Sequence, residues 1–163
     1  MSNEQTTTSS TQYLTFTLGT EVFAVDIAKI REVLEYTQVT KVPRTPAFMC
    51  GVINLRGSVV PVVNMRQKFN MTQGEKSVNT CIIILEIAPE EDGGVVVMGA
   101  LADSVREVME LEPNQIEPPP KIGMRLRTEF LKGMGKQDGR FIMILDIDKV
   151  FSVEELSAVQ SAG

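Results

Sequence analysis

The stretch GVINLRGSVVPVV, Gly51 to Val63, decides the fold. Two apolar, β-branched runs flank Arg56-Gly57, and a glycine at that point supplies the positive φ that a tight hairpin demands. The stretch therefore reads as two antiparallel strands joined at an Arg-Gly tip. Pro61 has no N–H to donate, so the second strand runs either at a sheet edge or with Pro61 in a non-bonded slot.

Working outward, Tyr13 to Leu18 (YLTFTL) alternates Leu14, Phe16 and Leu18 on one face, the period of a half-buried strand. Gly19-Thr20-Glu21 turns the chain into a second strand, Val22 to Ile27. Ile27, Ile30 and Leu34 then fall at helical spacing and predict a short helix. Gln38 to Val42 is expected to be extended, and Pro43 and Pro46 stop any helix there. Beyond the hairpin, Met65 to Phe69 predicts one helical turn and Thr72 to Ser77 a polar loop.

Asn79 to Ala88 and Val95 to Ala102 (CIIILEI and VVVMGALA at their centres) are apolar on both faces. Strands of that kind lie between two layers, which indicates two lobes sharing central strands. Asp103 to Glu110 continues as a strand, Glu117 to Pro120 as a stiff connector, and Thr128 to Met134 with Arg140 to Ile147 as a last hairpin. Ser152-Val-Glu-Glu155 fits a capping box that opens a C-terminal helix. About ten short strands with little helix define an all-β barrel architecture. No internal repeat is evident from residue identity.

Composition narrows function. The chain has 163 residues, a net charge of −5 and no histidine. Without imidazole there is no Ser-His or Cys-His pair, no histidine ligand for zinc and no phosphohistidine relay. The acidic balance disfavours nucleic acid. Cys50 and Cys81 are too few for a disulfide scaffold and read as reduced, buried, small apolar residues. Residues 1–12, MSNEQTTTSSTQ, contain neither a basic nor an apolar stretch, so they read as a disordered tail and not a signal peptide. No run is long enough to insert in a membrane. The compartment expected is the cytoplasm.

Among candidate sites, Gly133-Met-Gly135-Lys136 lacks phosphate-loop spacing and reads as a plain hairpin turn. Glu90-Glu91-Asp92 reads as a solvated turn. Asp146 and Asp148 would share a face of an extended segment, and helix-entry roles account for them. Arg56 is the one cation in a long apolar stretch, placed where a hairpin tip projects it. Its guanidinium suits solvent, backbone carbonyls or a partner's carboxylate at an interface, and the residues alone leave these open.

Gly51-Val-Ile-Asn-Leu-Arg-Gly57 with Val59-Val-Pro-Val62 closely resembles the CheW family. So do the opening YLTFTLGTEVFAVDIAKIREV, TPAFMCG before the hairpin, Asn64 to Phe69 after it, Ala102 to Val105 and EFLKGMG, together nearly all of Tyr13 to Leu156. The resemblance implies two intertwined five-stranded SH3-like barrels within residues 13–158, short helices that include a C-terminal one, and a tail at 159–163. It implies a non-catalytic scaffold, with no cofactor and no metal, that couples chemoreceptor (methyl-accepting chemotaxis protein) cytoplasmic tips to the regulatory domain of the histidine kinase CheA, with other copies as further partners in array rings. Such a protein is cytoplasmic and recruited to membrane-associated arrays without inserting in the membrane. Carried over, receptor-facing positions are Ile30, Gly51, Asn54, Arg56 and Cys81, with Val105 and Val108, and kinase-facing positions are Val59, Lys121 and Ile122. Asn64 stands where the family usually carries an acid, and Cys81 where it usually carries an aliphatic residue. The alternatives are a coupling module of a non-flagellar chemosensory array and, from another class, a small β-barrel enzyme using carboxylates. The latter requires a pocket of acidic groups with shifted pKa values.

Overall fold

The computed structural model describes residues 10–72, 74, 76–88, 94–119 and 128–162. Lys121, Ile122, the turn at 90–92 and residues 1–9 lie outside them.

Among the described residues, ten strands form two five-stranded sheets. They are β1 Thr11–Leu18, β2 Glu21–Asp26, β3 Ile30–Glu35, β4 Met49–Leu55, β5 Ser58–Asn64, β6 Cys81–Ile87, β7 Val96–Ala102, β8 Ser104–Leu111, β9 Leu131–Gln137 and β10 Arg140–Leu145. The first lobe has the order β8-β1-β2-β10-β9, and the second β3-β6-β7-β5-β4. Each sheet is joined end to end by a single bridge from the chain that follows its first-named strand: Glu117 to Met134 in the first lobe, Thr40 to Val52 in the second. The short helices are α1 Met65–Lys68, α2 Ile147–Val150 and α3 Val153–Ala162.

The doubly apolar strands are explained by three cores. Ile82 and Ile84 of β6 point into the second lobe with Ile53, Val60 and Val62. Their neighbours Cys81, Ile83, Leu85 and Ile87 point the other way, into a core shared with Leu14, Phe16, Phe23 and Val25 of the first lobe. The first lobe keeps its own small interior of Tyr13, Val22, Ala24, Ile142 and Ile144. Each central strand thus buries both faces, and neither lobe closes its apolar surface without the other.

The two sheets share one connectivity in permuted order. A hairpin (β6-β7 or β1-β2) pairs with a three-strand unit (β3-β4-β5 or β8-β9-β10), and the hairpin's second strand runs parallel to the unit's last. Details repeat as well. Asn64 donates its N–H to the Phe48 carbonyl, and Asp146 to that of Phe130. A Cβ at Gly51 would meet the Thr40 carbonyl at 2.1 Å, and one at Gly133 the Glu117 carbonyl at 2.6 Å. Phe48 packs on Phe151, and Phe69 on Phe130.

Several sequence expectations need correction. The helix expected from Ile27 is only a 3-10 turn, Ile27–Lys29, and Ile30 onward is strand β3, because pairing along β6 overrides the helical spacing. Gly133 to Lys136 lies inside β9, and the turn is Asp138-Gly139, both at positive φ. Strand β1 starts at Thr11, so it takes in the last two residues of the expected tail. At the other end α3 continues to Ala162 with Val159 fully buried, so 159–162 of the expected tail is helical. Strand β5 is internal to its sheet. Val52 exchanges both backbone bonds with Thr40, so it faces away from Pro61 opposite it, and pairing with β7 starts only at Val62. Pro61 therefore occupies the non-bonded slot.

Candidate functional site

Arg56 and Gly57 form a two-residue turn with φ of 51° and 90°. Asn54 caps it, its side-chain oxygen accepting the Gly57 N–H at 3.0 Å. From this tip Arg56 reaches Glu32 on β3, at the opposite end of the sheet order, with both terminal guanidinium nitrogens on the carboxylate. The hydrogen bond that Arg56 donates to Glu32 raises the arginine's pKa, and the Glu32 charge adds to it. The Arg56 side chain is nonetheless 69% exposed, so it keeps donors for a partner. Arg31 pairs through its Nε alone with Glu86 on β6.

Along the seam between lobes, Ile30 and Val105 are half-buried against the shared core. Cys81 pairs in register with Glu35 and Ala102, and its thiol meets the backbone N–H of Val105. Burial pushes that thiol up, the Val105 bond opposes it and the Asp103 carboxylate adds to it, so the sulfur is a neutral apolar contact at pH 7. Cys81 thus sits beside Val105 across the seam, while Ile30, opposite Leu85, lies at the far end of the same strand pair. Val108 is 46% exposed on β8. Gly51 is buried and faces the Thr40 backbone, which makes it a close-packing glycine within the barrel. Val59 is 51% exposed on β5, directly across from Asn54.

Residue patterns gave no hint of two ion-pair clamps at the lobe junction. Asp103, between β7 and β8, accepts the Gly19 N–H at 2.6 Å and pairs with Arg66 of α1. In the equivalent place on the other side, Asp148 of α2 accepts the Ala88 N–H at 2.8 Å and pairs with Lys29 at 2.6 Å. The same scaffold positions carry opposite charges. Asn64, where an acid was expected, caps α1 by accepting the Gln67 N–H at 3.1 Å. Lys68 lies among Phe48, Phe130 and Phe151, 5.3–5.5 Å from each ring centroid, and donates to both oxygens of Glu155 at 2.9 Å.

An open groove of about 790 Å³ beside the second lobe is lined by Tyr36, Val39, Lys41, Met49, Cys50 and Lys76 among others, with no carboxylate among its described residues. That is not the acidic pocket a carboxylate enzyme needs. Among the described residues no group of acids and cysteines is placed to hold a metal ion, and no helix is long and apolar enough to cross a membrane.

Two intertwined β-barrels, an exposed arginine on a capped hairpin and an apolar seam define a docking module. Comparison with known proteins gives the family. Residues 12–155 match the CheW-like domain model. The chain is 38% identical to the chemotaxis protein CheW of Klebsiella aerogenes, covering 93% of this chain and 88% of that one. It is 32% identical to that of Rhizobium meliloti, covering 93% and 94%. A solved structure, the scaffolding protein TtCheW from Thermoanaerobacter tengcongensis, matches with a TM-score of 0.78 at 34% identity over 89% and 90% of the two chains. The chain belongs to the CheW family. It is a non-catalytic scaffold of chemotaxis, built on the SH3-like double barrel.

Proposed function

We propose that this chain couples chemoreceptor cytoplasmic tips to the regulatory domain of the histidine kinase CheA, holding both at once on the cytoplasmic side of membrane-associated receptor arrays. The observation that carries the reading is the arrangement of its second lobe. Arg56 reaches from the β4-β5 tip to Glu32 on β3, the strand that carries Ile30 and pairs with Cys81 of β6, while Val59 is exposed on β5 of the same sheet, across from Asn54. The receptor-facing set is Ile30, Arg56, Cys81 and Val105, with Asn54, Gly51 and Val108 near it in sequence or structure. The kinase-facing set is Val59 with Lys121 and Ile122. A scaffold acts by raising local concentration, which requires that one ligand not displace the other.

The test is a competition titration with purified receptor tip and kinase regulatory domain. A ternary complex by light scattering is expected. Arg56→Ala should lose about 2 kcal/mol toward the receptor alone, and Ile122→Asp or Val59→Asp toward the kinase alone. Complete displacement of the kinase domain by saturating receptor tip would show that the surfaces overlap and that the bridging reading is wrong.

A further inference from the structure

The two lobes carry equivalent hairpins that solve one backbone problem differently. In β9-β10 the first turn residue is Asp138, at φ 53°, a residue type that tolerates the left-handed region. In β4-β5 the same place holds Arg56, at φ 51°, which does not. The residue two before the turn is Lys136 in the first hairpin and Asn54 in the second. By register these positions correspond, Lys136 facing Phe141 and Asn54 facing Val59. Only the hairpin with arginine at its tip has an amide there, and that amide accepts the Gly57 N–H.

We infer that Asn54 is a positioning residue for Arg56, holding the arginine in the left-handed turn that aims its guanidinium at Glu32, and that its effect on receptor binding passes through Arg56 instead of through a contact of its own. This rests on the receptor-coupling reading and deepens it. Partner recognition then depends on a preformed Arg56–Glu32 pair with donors to spare, suited to a carboxylate or carbonyl on the receptor.

The experiment measures receptor-tip affinity for the parent, Asn54→Ala, Arg56→Ala, the double variant and Asn54→Asp. Alongside it, NMR follows Gly57 amide exchange and the Arg56 Nε–H signal in the absence of partner. Asn54→Ala is expected to lose about as much affinity as Arg56→Ala, about thirtyfold. The double variant should be no worse than either, and Asn54→Asp, which keeps the acceptor, should recover most of the loss. Gly57 exchange should speed up in both variants that carry Asn54→Ala and not in Arg56→Ala, and the Arg56 signal should broaden in Asn54→Ala. Parent-like binding by Asn54→Ala, or losses that multiply in the double variant, would make Asn54 an independent or idle residue and overturn the inference. If the parent does not bind the tip at all, the coupling reading fails. The NMR arm then decides the positioning role, and unchanged Gly57 and Arg56 signals in Asn54→Ala refute it.

Discussion

Gly51 and Gly57 lie on one hairpin and have different reasons to be glycine. At Gly57, φ is 90° and a Cβ would meet nothing within 4 Å, so Gly57→Ala costs only backbone strain, about 1–2 kcal/mol. At Gly51, φ is 149° and the Cβ would strike the Thr40 carbonyl, the atom that joins the ends of the second sheet. Gly51→Ala should therefore cost more, roughly 3 kcal/mol, by breaking the Thr40–Val52 bridge. Urea titration of both variants checks this, and equal losses would mean that the bridge yields easily. Gly51 thereby acquires a structural reason for its place in the motif that is independent of any partner.

The C-terminal helix shows what can be read from sequence and what cannot. The capping box was legible at Ser152 and Glu155, and both of its bonds form, at 2.9 and 3.0 Å. Its second use was hidden, because Lys68 is 87 residues away and reaches Glu155 only once Phe48, Phe130 and Phe151 surround it. Alternation located β1, and apolar runs bounded by turn residues located most other strands, since both are local signals. The pairing of lobes and the clamps at Asp103 and Asp148 depend on distant partners, so no local pattern announces them. Arg56 was visible as a lone cation, but Glu32 was not visible as its partner. The helix has a measurable pH response. Burial alone would raise the Glu155 pKa, but the Ser152 backbone N–H and then Lys68 outweigh it, and the carboxyl sits below its ordinary 4.5. A depressed folded value means the stabilisation is complete above about pH 4.5 and is lost as pH falls through the folded value. The midpoint of thermal unfolding should drop more steeply below pH 4.5 in the parent than in Glu155→Gln, which lacks this proton linkage. Parallel profiles would mean that the Lys68–Glu155 pair contributes nothing to the docked helix.

At the scale of the molecule, the internal repeat escapes a reading by identity because it is permuted and conserved mainly at constrained positions. Phe48-Met-Cys-Gly51 corresponds to Phe130-Leu-Lys-Gly133, and Asn64 to Phe69 corresponds to Asp146 to Phe151, with only the phenylalanines and the glycine in common. The first lobe draws its strands from both ends of the chain, the second from its middle, and both contribute to the largest core. Unfolding one lobe would expose the shared face of the other, so the whole should melt as one cooperative unit. The chain offers its own probes, because its two tyrosines divide between the lobes. Tyr13 lies in the interior of the first, Tyr36 beside that of the second. In Tyr36→Phe the intrinsic fluorescence reports the first lobe alone, and in Tyr13→Phe the second alone. Adding Ile144→Ala, in the first interior, or Ile84→Ala, in the second, should cost about 2–5 kcal/mol and shift both signals equally, whichever lobe holds the cavity. Midpoints that separate, with only the mutated lobe's tyrosine moving, would show that the shared core does not couple the lobes and that each barrel folds on its own.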